Sequence, residues 1–221
     1  MRGALRWGLV LAALLVVTPL AAQPADGTDD TSSLAGALTG EAKALYDIGR
    51  ASFRAGDTAA ALANFQRAHE RSGDPRLLWN MAACEASLKH WARAMTLVDR
   101  YVANGASLLS DRDREQAIRF RGAAKRFVAI VELSTAPGVV VTVDGENVGT
   151  TPLGGPLYLD AGKRRVSFTK PGYRGVVRVE TVSPESTLTW NIAAERLRVR
   201  VLGTEASSSP VTISARPDAG P

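Results

Sequence analysis

Chemically reactive side chains are scarce in this sequence. It contains one cysteine, Cys84, and two histidines, His69 and His90, in 221 residues. Cys84 and His90 lie six positions apart, a spacing that does not place two side chains on one helix face, so no Cys–His nucleophilic pair is indicated. No His, Cys, Asp and Glu cluster has the spacing of metal ligands, and no glycine-rich phosphate loop occurs. We therefore predict that the protein is not an enzyme and has no catalytic residues, no metal and no cofactor.

Long hydrophobic runs are also lacking, except near the N-terminus. There, Arg2 and Arg6 flank the start of an apolar stretch over residues 7–17, and small residues follow up to Ala22. Basic, then apolar, then small residues is the order of a secretory signal peptide, for which we expect cleavage after Ala22. A retained membrane anchor is the alternative, but the run is shorter than the roughly 20 residues that a spanning helix needs.

Export has consequences for stability and for partners. A secreted chain with one cysteine has no internal disulfide, so packing must stabilise the fold. No cysteine lies near the cleavage point, so we expect no lipid anchor and predict a periplasmic or secreted protein without a transmembrane segment. The formal charge is +5, of which Arg2 and Arg6 supply two. This modest excess suits association with anionic envelope polymers and does not indicate nucleic-acid binding.

Residues 41–105 follow a helical pattern that repeats. Apolar and small residues recur at helical spacing, and turn signals such as Gly56-Asp57 separate the segments. A period of about 34 residues is typical of tetratricopeptide helical hairpins. The matching pairs are Leu45 and Trp79, Gly49 and Ala83, Ala61 and Ala94, and Phe65 and Val98. A capping helix with Ser110 or Asp111 at its N-terminus is expected to follow and to end near Lys125.

This helical segment resembles two tetratricopeptide repeats, although Lys89-His90 stands where the family has Gly-Asp. The resemblance implies a concave groove that binds a protein or peptide partner. Aromatic, cationic and amide side chains would line it, as in peptide-binding surfaces. The alternative is that these side chains form the solvated face of a short bundle or pack on the capping helix. The candidate groove residues are Tyr46, Arg50, Phe53, Arg54, Asn80 and Ser87.

From Phe127 the hydrophobic period changes to two, which predicts half-buried strands around a common core. Strong turn signals include Asp144-Gly145 and Pro171-Gly172. Residues 127–194 resemble the PEGA domain, a small β module of bacterial envelope and surface proteins. The residues that carry the resemblance are Val141 to Gly145, Gly149 to Leu153, Leu159 to Gly162, and Pro171 to Tyr173. The resemblance implies surface-associated binding.

Two features of the β segment could contact a ligand. Arg196, Arg198 and Arg200 alternate with apolar residues and would form a basic row for an anionic polymer, or guard an edge strand against aggregation. Tyr173 and Trp190 could stack on sugars, but Trp190 alternates in phase with core residues, which favours burial.

We therefore predict an α+β fold, with helical hairpin repeats of tetratricopeptide type before a small, sandwich-like PEGA module. The expected function is an exported scaffold of the bacterial envelope whose helices bind a protein partner and whose β module supports them or attaches to the envelope. The alternative is a glycan- or cell-wall-binding module that acts through the β domain. The expected segments are a signal peptide (1–22), a flexible linker (23–40), helical repeats with the capping helix (41–126), the β domain (127–203) and a disordered tail (204–221).

Overall fold

The computed structural model describes the backbone of residues 30–196 and the side chains of residues 34–196. The predicted signal peptide, the predicted tail, Arg198 and Arg200 lie outside the described residues. Within them the fold is α+β, as predicted, with helices first and a small β module after them. The helices are α1 (Asp30–Ala37), α2 (Gly40–Arg54), α3 (Thr58–Ser72), α4 (Leu77–Ser87), α5 (Trp91–Asn104) and α6 (Asp111–Ala124), with a 3-10 helix (Lys125–Phe127) at the end. The strands are β1 (Val128–Thr135), β2 (Val140–Val143), β3 (Glu146–Thr150), β4 (Leu157–Asp160), β5 (Gly162–Thr169), β6 (Val176–Val182) and β7 (Thr187–Ile192).

Helix α1 occupies part of the segment that we expected to be a flexible linker. Leu34 and Leu38 are four residues apart, so they share one face, and both are buried in the helical core. These two leucines give the segment an apolar face that packs on the helical core, although most of its other residues are small or polar. The linker prediction is therefore wrong over residues 30–37, and residues 23–29 lie outside the described part of the chain.

Helices α2 to α5 form two successive hairpins with the same turn geometry. Each hairpin turns through a residue in the left-handed region, Gly56 at φ 83° in the first and Lys89 at φ 65° in the second. The N-cap residue follows directly, Asp57 before α3 and His90 before α5. The shared turn fits the 34-residue period, whereas membership of the tetratricopeptide family stays a prediction.

Helix α6 caps the helical half at the predicted position. The Ser110 hydroxyl accepts a hydrogen bond from the backbone N–H of Asp113, and the Asp113 carboxylate accepts one from the backbone N–H of Ser110. This reciprocal capping box satisfies two N–H groups that the helix end leaves open. Phe120 of α6 packs edge-on against Trp79, with ring centroids 5.9 Å apart, so the capping helix contributes to the helical core.

The β half consists of two sheets that enclose one apolar core. The three-stranded sheet has the order β4-β1-β7, in which β1 pairs antiparallel with β4 and parallel with β7. The four-stranded sheet has the order β3-β2-β5-β6 and is antiparallel throughout. Strands β6 and β7 therefore end their respective sheets and border the same open side of the core.

One strand has the opposite facing from that which its hydrophobic pattern predicted. The period of two, followed along β6, predicts that Val177 and Val179 face the core, but they are 50% and 52% exposed. Val182, which is in the other phase of the strand together with Arg178, is buried, and Arg178 lies over the ring of the buried Trp190. A shift of one residue exchanges the two faces of a strand, which brings a charged side chain to the inner edge.

The two halves pack directly on each other. Met95, Ala124, Val128 and Tyr158 form a buried cluster that joins α5, α6, β1 and β4. At the start of α5, where His90 makes no side-chain cap, the Asp160 carboxylate of β4 accepts a hydrogen bond of 2.9 Å from the backbone N–H of Ala92. The β half thus caps a helix of the helical half, and a polar contact reinforces the apolar cluster.

Candidate binding site

Two of the six candidate groove residues are buried. The Tyr46 side chain is fully inaccessible and packs against Phe65, with ring centroids 5.9 Å apart. Asn80 lies in α4, most of whose residues are buried. The prediction that Tyr46 and Asn80 contact a partner is therefore wrong for this conformation. The physical reason is that Tyr46 packs against Phe65 of α3 and that Leu34, Leu38 and Phe120, from outside the two hairpins, join the same apolar core.

Of the other four candidate groove residues, two are half-buried and two are exposed. The Arg50 guanidinium lies over the Tyr46 ring, 5.7 Å from its centroid, and Phe53 packs partly against the helical core. Arg54 and Ser87 are exposed. The Ser87 hydroxyl donates a hydrogen bond of 2.9 Å to a backbone carbonyl of its own helix.

Cys84 has the properties of a packed core residue. It is buried, and burial raises the pKa of its thiol to about 12, so the thiol stays protonated at neutral pH. Among the described residues, no group of three or more His, Cys, Asp and Glu side chains is placed to hold a metal ion. None of the helices within residues 30–196 combines the length and the apolarity that crossing a membrane requires.

Cationic side chains gather at one end of the β half. We call this group the Tyr173 cluster; it contains Lys170, Tyr173, Arg174, Arg178 and Arg196. The described part of the β half, residues 127–196, carries as many acidic as basic side chains, so the cluster is a local excess. The acids that accompany it are Glu180 and Glu195.

A tight turn and a returning chain segment build the cluster around the Tyr173 ring. Gly172 takes a φ of 77°, and the backbone N–H of Tyr173 donates a hydrogen bond to the carbonyl of Lys170, which folds the lysine back over the ring at 4.8 Å. Arg196 arrives after β7 and pairs with Tyr173 in an antiparallel bridge. Its guanidinium carbon lies 5.9 Å from the ring centroid, and its Nε donates a hydrogen bond of 3.2 Å to the phenol oxygen.

These contacts change the acidity of the phenol. The hydrogen bond from Arg196 and the positive charge of that guanidinium lower the pKa of Tyr173, and Lys170 adds to the effect. Both cations favour the phenolate over the phenol. The same two cations create a positive local potential, which also attracts anions.

A cleft opens beside the cluster because β6 and β7 belong to different sheets and do not pair along their length. It has a volume of about 400 Å³. At one end the backbone N–H of Arg174 donates a hydrogen bond of 2.8 Å to the carbonyl of Glu195, which holds the two chain segments together. We call this space the β6–β7 cleft. Its lining residues are Arg174, Gly175, Val176, Arg178, Asn191, Ile192, Ala193 and Glu195.

The sequence-predicted β residues have mixed positions in this site. Arg196 and Tyr173 belong to the cluster, whereas Trp190 is 3% exposed and packs edge-on against Phe168 in the core. Trp190 is therefore no sugar platform, in agreement with its hydrophobic phase. Sequence reasoning did not identify Lys170, Arg174, Arg178 or Asn191 as site residues. The available signal was the run Lys-Pro-Gly-Tyr-Arg, in which a tight turn brings the flanking cations together.

Comparison with known families assigns most of the β half. Residues 129–198 match the PEGA domain. Residues 129–198 are thus similar to a module that occurs in extracellular or periplasmic proteins, and the match suggests a binding module. The matched PEGA segment contains the whole Tyr173 cluster and every lining residue of the β6–β7 cleft. No curated protein matches the chain.

Proposed function

We propose that this protein is an exported, non-enzymatic binding protein whose PEGA segment binds an anionic polymer of the bacterial cell envelope. The observation that carries the proposal is the Tyr173 cluster, in which Lys170 and Arg196 lie over the half-exposed Tyr173 ring, in a β half whose described residues carry equal numbers of acidic and basic side chains. Clustered charges of one sign create a local potential that raises the concentration of oppositely charged ligands. The helical half acts as a rigid support, because the buried cluster of Met95, Ala124, Val128 and Tyr158 fixes it to the β half, together with the hydrogen bond from Ala92 to Asp160. We call this contact region the seam.

The charge arrangement favours a flexible polyanion over a small tight-binding ion. Lys170 and Arg196 lie against the Tyr173 ring, and Arg178 lies against the Trp190 ring. Aromatic contacts hold the cations in place without neutralising them. Several weak, preorganised contacts of this kind suit a repeating ligand, whose binding falls as salt screens the charges.

Affinity electrophoresis in gels that contain polygalacturonate, with neutral dextran as reference, tests this proposal on the chain from Gln23 onward. The site variant combines Lys170→Gln with Arg196→Gln. Its matched control combines Lys163→Gln with Arg165→Gln, which removes two exposed cations of β5 and the same net charge.

We expect polygalacturonate to retard the wild type, and the site variant to bind about tenfold more weakly, because two solvent-exposed ion pairs contribute up to about 1 kcal/mol each and about 1.4 kcal/mol corresponds to tenfold. The control should lose about twofold or less, since an exposed charge remote from the ligand contributes little. Equal losses in the two double variants, or no retardation of the wild type, would reject the proposal.

A protein partner of the helical half is the second candidate function. It is favoured by α2, where Ile48 is 52% exposed although it is a large apolar residue, and where Arg54 is exposed at the end of the helix. Capture from envelope extracts with the full chain from Gln23, compared with an Ile48→Asp/Arg54→Glu variant, tests it. A partner that both chains retain equally would not bind at α2.

A further inference from the structure

We infer that the β6–β7 cleft is a subsite for a carboxylated sugar, such as one uronic acid unit of the polymer. This inference rests on the proposed function and names the chemical class of its ligand. The cleft combines cationic, amide, carboxylate and apolar groups within about 400 Å³. That volume is within the range of small-molecule pockets and admits a sugar ring with its substituents.

Arg174 provides the anchor for the carboxylate. It is exposed and lines the cleft, and within residues 34–196 its guanidinium has no ion pair. A planar guanidinium matches a carboxylate in a two-point hydrogen bond, which gives orientation as well as attraction. Its backbone is held by the hydrogen bond to the Glu195 carbonyl, so the side chain starts from a fixed point.

Arg178 also lines the cleft and contributes positive charge, but its side chain has other contacts. Its guanidinium carbon lies 5.2 Å from the centroid of the Trp190 ring, and its Nη1 is 3.9 Å from a Glu180 carboxylate oxygen. A 3.9 Å contact between two partly exposed side chains is a weak ion pair. Arg178 therefore retains attraction for an anion while the indole ring restricts its position.

The remaining lining residues favour a sugar over an inorganic anion. Asn191 both donates and accepts hydrogen bonds, and the Glu195 carboxylate accepts them, which suits hydroxyl groups. Val176 and Ala193 offer apolar surface for the C–H face of a ring. The Glu195 carboxylate would repel a doubly charged phosphate, whereas a singly charged carboxylate on a hydroxylated ring places its charge at Arg174 and its hydroxyls at Glu195.

The test uses the full chain from Gln23 and three small probes: galacturonate, neutral galactose and inorganic phosphate. Ligand-observed NMR or calorimetry gives a Kd for each probe. We expect galacturonate to bind at least tenfold more tightly than either other probe. Galactose cannot make the charged hydrogen bond to Arg174, and the Glu195 carboxylate repels phosphate. Galactose or phosphate binding as tightly as galacturonate would overturn the inference.

Two variants locate the probe. Arg174→Gln should weaken galacturonate binding about tenfold, and Asn191→Asp should weaken it similarly by adding a negative charge to the cleft. Arg165→Gln, an exposed cation on the outer face of β5, is the control and should leave the Kd unchanged. Circular dichroism confirms that each variant is folded, and unchanged galacturonate binding in the two cleft variants contradicts the inference.

Comparison with the polymer separates this inference from the proposed function. Retention of polygalacturonate binding without any galacturonate binding would reject the cleft as a subsite and leave the proposed function standing. Loss of both would reject both. Binding of an acidic peptide such as tetraglutamate more tightly than galacturonate would assign the cleft to a protein ligand and overturn the sugar assignment.

Discussion

The hydroxyl of Tyr158 in β4 donates a hydrogen bond of 2.7 Å to the carboxylate of Asp99 in α5. The other oxygen of that carboxylate lies 3.1 Å from Nε of Arg121 in α6. Through Asp99, helix α5 is therefore connected both to β4 of the β half and to α6. Tyr158 is buried in the apolar cluster between the halves, so this polar contact lies inside the seam and links the β module to its helical support.

Removal of the Tyr158 hydroxyl should destabilise the whole chain. We expect Tyr158→Phe to lower the free energy of unfolding by about 1–2 kcal/mol, because a carboxylate oxygen in a partly buried site loses its donor. Tyr173→Phe is the matched control, since that hydroxyl is at the surface and should change stability by about 0.5 kcal/mol or less. Urea unfolding monitored by circular dichroism measures both, and equal effects would show that the seam contact is not stabilising.

The same pair predicts a pH dependence. Burial, followed by the hydrogen bond to Asp99, raises the pKa of Tyr158 to about 12, above its ordinary value of 10.0. The folded state therefore keeps this proton between pH 10 and 12 while the unfolded state loses it, so stability falls as pH rises through that window. The advantage of the wild type over Tyr158→Phe should shrink from pH 10 to 12, and a constant difference would refute the assignment.

A close helix crossing depends on Gly49 of α2. A Cβ at this position would lie 2.8 Å from a ring carbon of Phe65, which is fully buried and has no space to retreat. We expect Gly49→Ala to destabilise the fold by about 1–3 kcal/mol through overpacking. Gly122→Ala in α6 is the control, because no atom lies within 4 Å of its added Cβ, and it should stabilise by about 1 kcal/mol through helix propensity. The midpoint of thermal unfolding should therefore fall for Gly49→Ala and rise for Gly122→Ala. A higher midpoint for Gly49→Ala would contradict the close contact between α2 and Phe65.

Thr151, the second threonine of the Gly-Thr-Thr-Pro sequence, connects the end of β3 to the turn between β1 and β2. The buried Thr151 hydroxyl donates a hydrogen bond of 2.7 Å to the carbonyl of Ala136 and accepts one of 3.0 Å from the N–H of Val139. Thr151→Val has nearly the same shape but leaves both groups unpaired, which should cost about 1–3 kcal/mol. The neighbouring Thr150 is exposed, and Thr150→Val should remain within about 0.5 kcal/mol of the wild type in urea unfolding. Similar stabilities for the two variants would contradict this role.

Lys89 occupies a conformation that suits glycine. Its φ of 65° places it in the left-handed region, where a Cβ costs about 1 kcal/mol, and the equivalent turn of the first hairpin uses Gly56. Lys89→Gly should therefore raise the free energy of unfolding by about 1 kcal/mol. Lys89→Ala removes the same charge but keeps the Cβ, so it should leave stability unchanged. A gain of equal size in both variants would trace the effect to charge and not to backbone strain.

Most local features were predictable because few residues determine them. The Ser110 cap of α6 needs only its own hydroxyl and Asp113, three positions away. The turn at Gly172 depends on one residue that tolerates a positive φ. Helix α1 was missed because Leu34 and Leu38 become informative only once a core exists to bury them. The facing of β6 was wrong because a valine at an open sheet edge gains less from burial than one in a central strand.

The binding site required more than local signals. Tyr46 and Asn80 carry the residue types of a peptide groove, yet their exposure depends on whether other helices cover α2 and α4. Lys170 and Arg196 are 26 positions apart in the chain and meet only through Tyr173. Sequence periodicity and turn chemistry thus account for the order of helices and strands, since both act over a few residues. Contacts between distant segments decide which side chains are buried and which cations surround a cleft. Local sequence does not reveal these contacts, because they exist only in the folded chain.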